Sequence, residues 1–158
     1  DPASPLPSSD LPVRDKKAPP STYVPFRNGI FLALGTAWAE VQGVQEIVCG
    51  FHVLDSPGYP DTRREFVRAM EEAINWGSAA SFSQKRIHIQ APFLDMNKAE
   101  IIKKGLSLGA DYSYSVSCYS GGEVPCGMCA SCRMRQKAWE QVGIEDPLIL
   151  RLKKGGRL

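Results

Sequence analysis

Four of the chain's five cysteines fall between Cys118 and Cys132, spaced C-x7-C-x2-C-x2-C. No other feature restricts the fold as much. A tetrahedral ion needs four soft donors converging on one point, and closely spaced thiolates on a glycine-bearing turn supply them. We read the stretch as a closed, structural zinc site with Cys118, Cys126, Cys129 and Cys132 as ligands. The only histidines are His52 and His88, so no further donor lies nearby in sequence. Other readings stay open at this point. An iron–sulfur cluster also uses C-x2-C-x2-C, although the register where a fourth cysteine and a proline would follow holds Gln136 and Lys137. Disulfides would allow three pairings of four cysteines, and nothing else marks the chain as secreted. Buried free thiols are the plainest alternative.

The 158 residues are one domain's worth, with 43% hydrophobic and 23% charged residues, ordinary for a soluble globular protein. A net charge of +2 gives no warrant for a direct nucleic-acid or membrane partner. Cysteines in metal-like spacing point to a reducing compartment, hence a cytoplasmic protein. The longest apolar run, Gly29 to Ala39, is too short to span a bilayer and contains Thr36. No signal-peptide pattern is present, and the first residue is Asp1 rather than Met, which suggests a processed chain or a piece of a longer one.

Residues 1–20 carry six prolines and three serines and read as a linker or flexible loop. A helix is expected over Gly29–Gln42, where Ile30, Phe31, Leu34, Trp38 and Val41 recur at helical spacing and point to burial. Arg27 and Asn28 stand at its start. An Arg there needs a partner, either an internal carboxylate or an anionic ligand. Glu46–Phe51 reads as a short buried strand with Cys49 as a core thiol. It opens into a Gly/Pro-rich loop, Asp55 to Arg63, where ligands bind in open α/β sheets. Asp61 is also a candidate N-cap for the following helix, which runs to about Trp76 with Phe66, Met70 and Ala73 inward. Arg86–Ala91 alternates as a second strand, and His88 falls on its polar phase. Asn97-Lys98-Ala99-Glu100 resembles a capping box starting a helix that buries Ile101, Ile102 and Leu106 and stops at Gly109. Ser131 to Val142 forms a last helix, with Arg133, Arg135 and Lys137 on a basic side and Met134, Ala138 and Trp139 apolar. Leu148–Leu152 is a further strand or a tail. The alternation predicts an α/β layer on a parallel sheet, with the cysteine loop stapling its C-terminal part.

The stretch Ser117 to Arg133, S-C-Y-x-G-G-x-x-P-C-G-x-C-x-x-C-R, resembles the C-terminal signature of the 7-cyano-7-deazaguanine synthase (QueC) family. Ser21–Asn28, Asp55–Arg63 and Asn97–Ile101 extend the resemblance over roughly residues 20–145. It departs in one respect: the family's phosphate-binding loop, S-G-G-x-D-S, is absent, and Ser120-Gly121-Gly122 lies inside the cysteine loop without the following Asp-Ser. The resemblance implies a Rossmann-like parallel sheet of the adenine-nucleotide α-hydrolase type, incomplete in this chain. Residues 21–158 would be the C-terminal part of one such domain, with a zinc-binding region over residues 117–142. It further implies an ATP- and Mg2+-dependent ligase that turns 7-carboxy-7-deazaguanine and ammonia into 7-cyano-7-deazaguanine, with Zn2+ structural. Arg27, Asn28, Tyr59, Asp61 and Arg63 would lie near nucleotide or substrate, and no catalytic residue is assigned. A second chain supplying the phosphate loop and a homo-oligomer are the expected partners. Two other functions stay open: a ligase of this type redirected to another partner such as a protein, and a non-catalytic zinc-stapled binding module.

Overall fold

The computed structural model describes residues 23–52, 58–83 and 85–158. The proline-rich segment 1–20 and the front of the loop, including Asp55, lie outside them. The described residues divide into two compact units, one within Lys17–Asn97 and one within Lys98–Leu158.

The first unit holds α1 (Arg27–Gln42), β1 (Glu46–Val48), α2 (Arg64–Gly77) and β2 (His88–Gln90), with short 3-10 turns at Pro60–Thr62 and Ala79–Phe82. The strands pair in parallel with Ile47 opposite Ile89, as the helix between them requires. Both are shorter than the expected Glu46–Phe51 and Arg86–Ala91, and β1 is not the buried strand expected: Glu46 and Val48 are exposed and Ile47 is half-buried. The core gathers Leu32 and Ala39 of α1, Val67 and Ile74 of α2, Ile87 and Ile89, with Ile47, Cys49, Phe66 and Met70 packed around them. Cys49, expected as a core thiol, is half-buried at the margin of this core, and burial raises its pKa.

Two helix faces differ from expectation. On α1 the buried residues are Gly29, Leu32, Thr36 and Ala39. The large apolar stripe points outward instead, with Phe31 63%, Leu34 64%, Trp38 69% and Val41 77% exposed, and Ile30 exposed beside them. Gly35 lets α1 approach the sheet closely, since a Cβ there would lie 3.8 Å from Ile47, and Thr36 satisfies its hydroxyl on the Leu32 carbonyl at 2.7 Å. On α2, Val67 and Ile74 are buried, Phe66 and Met70 are half-buried, and Ala73 is exposed. The buried Asn75 amide donates to the Ile87 carbonyl at 2.7 Å and accepts the Ile87 N–H at 2.8 Å, binding α2 to the strand end. Nearby, Glu71 Oε2 accepts the Ile89 N–H at 2.7 Å and Oε1 faces His88 Nδ1 at 3.3 Å. His88 is therefore a satisfied surface histidine.

The second unit packs α3 (Lys98–Ser107) on α4 (Ala130–Val142) through Ile102, Ala138 and Trp139, with Tyr112 edge-on to Trp139 at 5.4 Å. Ile101 is only half-buried, and Met134 is exposed rather than packed. Residues 148–152 are neither strand nor tail. They form α5 (Pro147–Lys154), capped by Asp146, whose carboxylate accepts the Leu148 N–H at 2.9 Å. Leu148 and Leu152, one helical turn apart, are the most completely buried side chains of the unit. The same Asp146 receives Arg135 in a two-pronged ion pair, and Arg135 also donates to the Ser115 hydroxyl at 3.0 Å. Arg135 therefore does not belong to the solvated basic face expected of α4.

These assignments separate two substitutions. Leu148→Ala should destabilise the chain by about 2–5 kcal/mol, as cavity formation at a fully buried leucine does. Trp38→Lys should leave stability within about 0.5 kcal/mol, because that indole is on the surface. Urea denaturation of both purified variants checks the pair.

Candidate metal centre and ligand-binding loop

The cysteine centre is assembled by a turn and a helix start. Cys129 is the N-cap of α4, and its sulfur accepts the Cys132 N–H at 3.4 Å. Cys132 is buried in the first turn of the helix. Gly127 holds a φ of +72°, a conformation that bends the chain so that the Cys126 and Cys129 side chains turn the same way. Further back, Cys118 Sγ accepts the Cys126 N–H at 3.3 Å and the Ser120 N–H at 3.4 Å, and it lies 2.9 Å from the Ser120 hydroxyl. The Cys129 N–H reaches Cys126 Sγ at 3.4 Å.

All four sulfurs lie within 4.8 Å of one another, and Cys126 and Cys132 are 4.0 Å apart. Bonds of about 2.3 Å to a tetrahedral zinc would set sulfurs roughly 3.8 Å apart, so the donors fit such an ion with small adjustment. The N–H groups pointing at sulfur are what thiolate ligands require, and the N-terminal end of α4 adds favourable potential. The donors divide in their acidity. The N–H of Cys126 and the hydroxyl and N–H of Ser120 lower the Cys118 pKa to about 6. A backbone N–H from Tyr119 lowers Cys129. Burial, aided by the neighbouring thiols, pushes Cys132 up to about 12.

The second candidate site lies at the start of α1. Phe26 adopts a left-handed φ of +53°, and its ring covers Gly29, where an added Cβ would sit 2.3 Å from a ring carbon. The ring meets Phe66 edge-on at 5.9 Å. This arrangement presents Arg27 and Asn28 in the first turn of a helix whose own N-cap offers no side-chain acceptor. The acceptor comes from the loop. Asp61 is 4% exposed, and its Oδ2 takes the Asn28 N–H at 2.9 Å. Asp61 therefore caps α1, not α2 as the sequence suggested; the N-cap position of α2 is Arg63. A single 3-10 turn holds Asp61 in place, with the Thr62 N–H and hydroxyl on the Tyr59 carbonyl at 3.1 and 2.7 Å. Tyr59 lies beside Tyr23, ring centres 6.5 Å apart, and Tyr23 accepts the Phe26 N–H.

Of the five residues expected near a ligand, Asn28 and Asp61 are thus in direct contact, and Tyr59 borders them on the same turn. Arg27 and Arg63 stand exposed at the starts of α1 and α2. A cleft of about 440 Å³ between α2 and β2 is lined by Arg64, Arg68, Glu71 and Ile89 and includes none of the five. Tyr23, Asn75 and the Arg135–Asp146 pair escaped sequence reasoning, because nothing local shows which partner a buried polar side chain will meet. Among the described residues no helix is long and apolar enough to cross a membrane.

A small parallel sheet with helices and a four-sulfur centre defines a mixed α/β chain with a candidate metal site. Residues 5–143 match the family model described as "Queuosine biosynthesis protein QueC", and the chain belongs to that family. It is 43% identical over 143 residues to the 7-cyano-7-deazaguanine synthase of Cellvibrio japonicus, covering 89% of this chain and 63% of that one. It is 41% identical over 150 residues to the synthase of Methanoculleus marisnigri, covering 92% and 66%. For the synthase of Dechloromonas aromatica the identity is 45% over 134 residues, covering 84% and 60%. The chain thus spans a little under two thirds of these relatives.

In metal-free chain at neutral pH, Cys118 should be alkylated fastest and Cys132 slowest, because reactivity follows the thiolate fraction. One divalent ion per chain should protect all four. Mass-spectrometric mapping of iodoacetamide adducts, with and without added zinc, reads both outcomes.

Proposed function

We propose that this chain is the zinc-bearing part of an ATP-dependent synthase that makes 7-cyano-7-deazaguanine from 7-carboxy-7-deazaguanine and ammonia. The reading rests on one observation: the family match runs through both the Asp61 turn and the cysteine cluster, in a single alignment. The complete sheet would be Rossmann-like, of the adenine-nucleotide α-hydrolase type. Its phosphate-binding part would come from further sequence or from a second chain. The outward apolar stripe of α1 supports that view, since contiguous exposed apolar surface usually marks an interface. A homo-oligomer is part of the same proposal.

The chemistry explains why ATP is needed. A carboxylate resists ammonia until one of its oxygens becomes a leaving group. Attack of that oxygen on the α-phosphate of ATP expels pyrophosphate and forms an acyl adenylate. Ammonia then displaces AMP to give the amide. Activation of the amide oxygen by a second ATP, followed by loss of AMP and protons, leaves the nitrile. Arg27 and Arg63, exposed at two helix starts, are suited to the anionic groups of nucleotide or substrate carboxylate, while Asn28, Tyr59 and Asp61 would line the same site. The four cysteines would hold Zn2+ as a staple for the start of α4, and the reaction itself would proceed without it.

Two measurements test this reading. Elemental analysis should find one zinc per chain in a colourless protein; iron with sulfide and visible absorbance would overturn the metal assignment. In the complete synthase, Arg63→Ala should lower kcat/KM by roughly one to two decades with zinc content unchanged. Unaltered kinetics would remove Arg63 from the site.

A further inference from the structure

Asp61 holds more capacity than its helix cap uses. Its Oδ2 takes the Asn28 N–H, yet Oδ1 is buried and meets no hydrogen-bond partner among the described residues. Buried polar side chains are nearly always paired, and a carboxylate oxygen left without a donor is costly. The structural role is already met by Oδ2, so Oδ1 marks a place where a donor belongs.

The chemistry of that donor is restricted. A phosphate or a substrate carboxylate would be repelled, which sets Asp61 apart from Arg27 and Arg63. A nitrogen-bound proton fits. Tyr59, two residues earlier in the same turn, and Tyr23 beside it offer aromatic surface to a planar ring at the same end of α1. A heterocycle with adjacent N–H donors on one edge meets both conditions. Guanine-type rings carry such an edge in the ring N–H and the exocyclic 2-amino group; hypoxanthine-type rings lack the amino donor.

We propose that Asp61 Oδ1 accepts a hydrogen bond from the amidine edge of a 7-deazaguanine ligand, and that this carboxyl group selects guanine-type over hypoxanthine-type rings. The assignment rests on the substrate class proposed above and gives it a specificity residue. No bond is made or broken at Asp61. Its contribution is orientation and selection, with Oδ2 holding α1 and Oδ1 holding the ring.

Calorimetric titration of the protein with 7-carboxy-7-deazaguanine and with its analogue lacking the 2-amino group decides the matter. The wild type should bind the amino-bearing ligand about ten- to a hundredfold more tightly, the effect of one charge-assisted hydrogen bond. In Asp61→Asn the single amide oxygen either caps α1 or meets the ligand, and the preference should fall to near unity. Asp61→Ser, which keeps a small acceptor for the Asn28 N–H, should lose it as well; helicity by circular dichroism and zinc content confirm that either variant is folded. Equal binding of both ligands by the wild type, or a folded variant that keeps the wild-type preference, overturns the role of Asp61 while leaving the functional reading in place. Binding of neither ligand by the wild type overturns the functional reading and this inference with it.

Discussion

Four thiolates cannot crowd within 4.8 Å of one another unless something offsets their charge. The structure around them does so in part: main-chain N–H groups point at Cys118, Cys126 and Cys129, and α4 begins at Cys129 with its positive end toward the sulfurs. Without a cation the cluster divides, with Cys118 held toward thiolate and Cys132 toward thiol. A divalent ion resolves the division by stabilising all four in the charged form. The placement of α4 follows from this constraint, and with it the packing of Trp139 against Ile102 and Tyr112.

The start of α1 depends on a comparable transfer of function between segments. The left-handed Phe26 gives the helix no side-chain acceptor, and Asp61 supplies one from more than thirty residues away. Caps are usually local. A remote one makes the geometry of Arg27 and Asn28 depend on the turn that carries Tyr59 and Asp61, so the candidate ligand residues form one assembly within this unit.

The cysteine cluster was fully legible in the sequence, because ligand spacing on a short turn leaves few geometries. Helix existence was legible too, since the 3.6-residue period survives in α1 through α4. Which face is buried was not. On α1 Phe31, Leu34 and Trp38 are the conspicuous residues, yet the buried ones are Gly29, Leu32, Thr36 and Ala39, of which Leu32 and Ala39 join the core, while Gly35 lets the helix approach Ile47. α5 was missed although its signals were present: Asp146 followed by Pro147 is a helix start, and Leu148 and Leu152 stand one turn apart. The roles of Asp61 and Asn75 were legible as polar residues but not as contacts, since each finds its partner across the fold.

The Asn75 amide and the Glu71 carboxylate also decide which way the sheet can grow. In the parallel ladder, His88 and Gln90 turn their main-chain groups toward β1, so those of Ile87 and Ile89 face outward. Asn75 occupies both groups of Ile87, and Glu71 occupies the N–H of Ile89. That flank is sealed by side chains of α2, much as natural sheets protect an edge from unwanted pairing. Among the described residues no such cover lies along Glu46 and Val48, whose outward groups stay open to a neighbour. The two-stranded sheet is therefore one-sided: additional strands have a single flank to join, and a mispaired copy of the chain is turned away from the other.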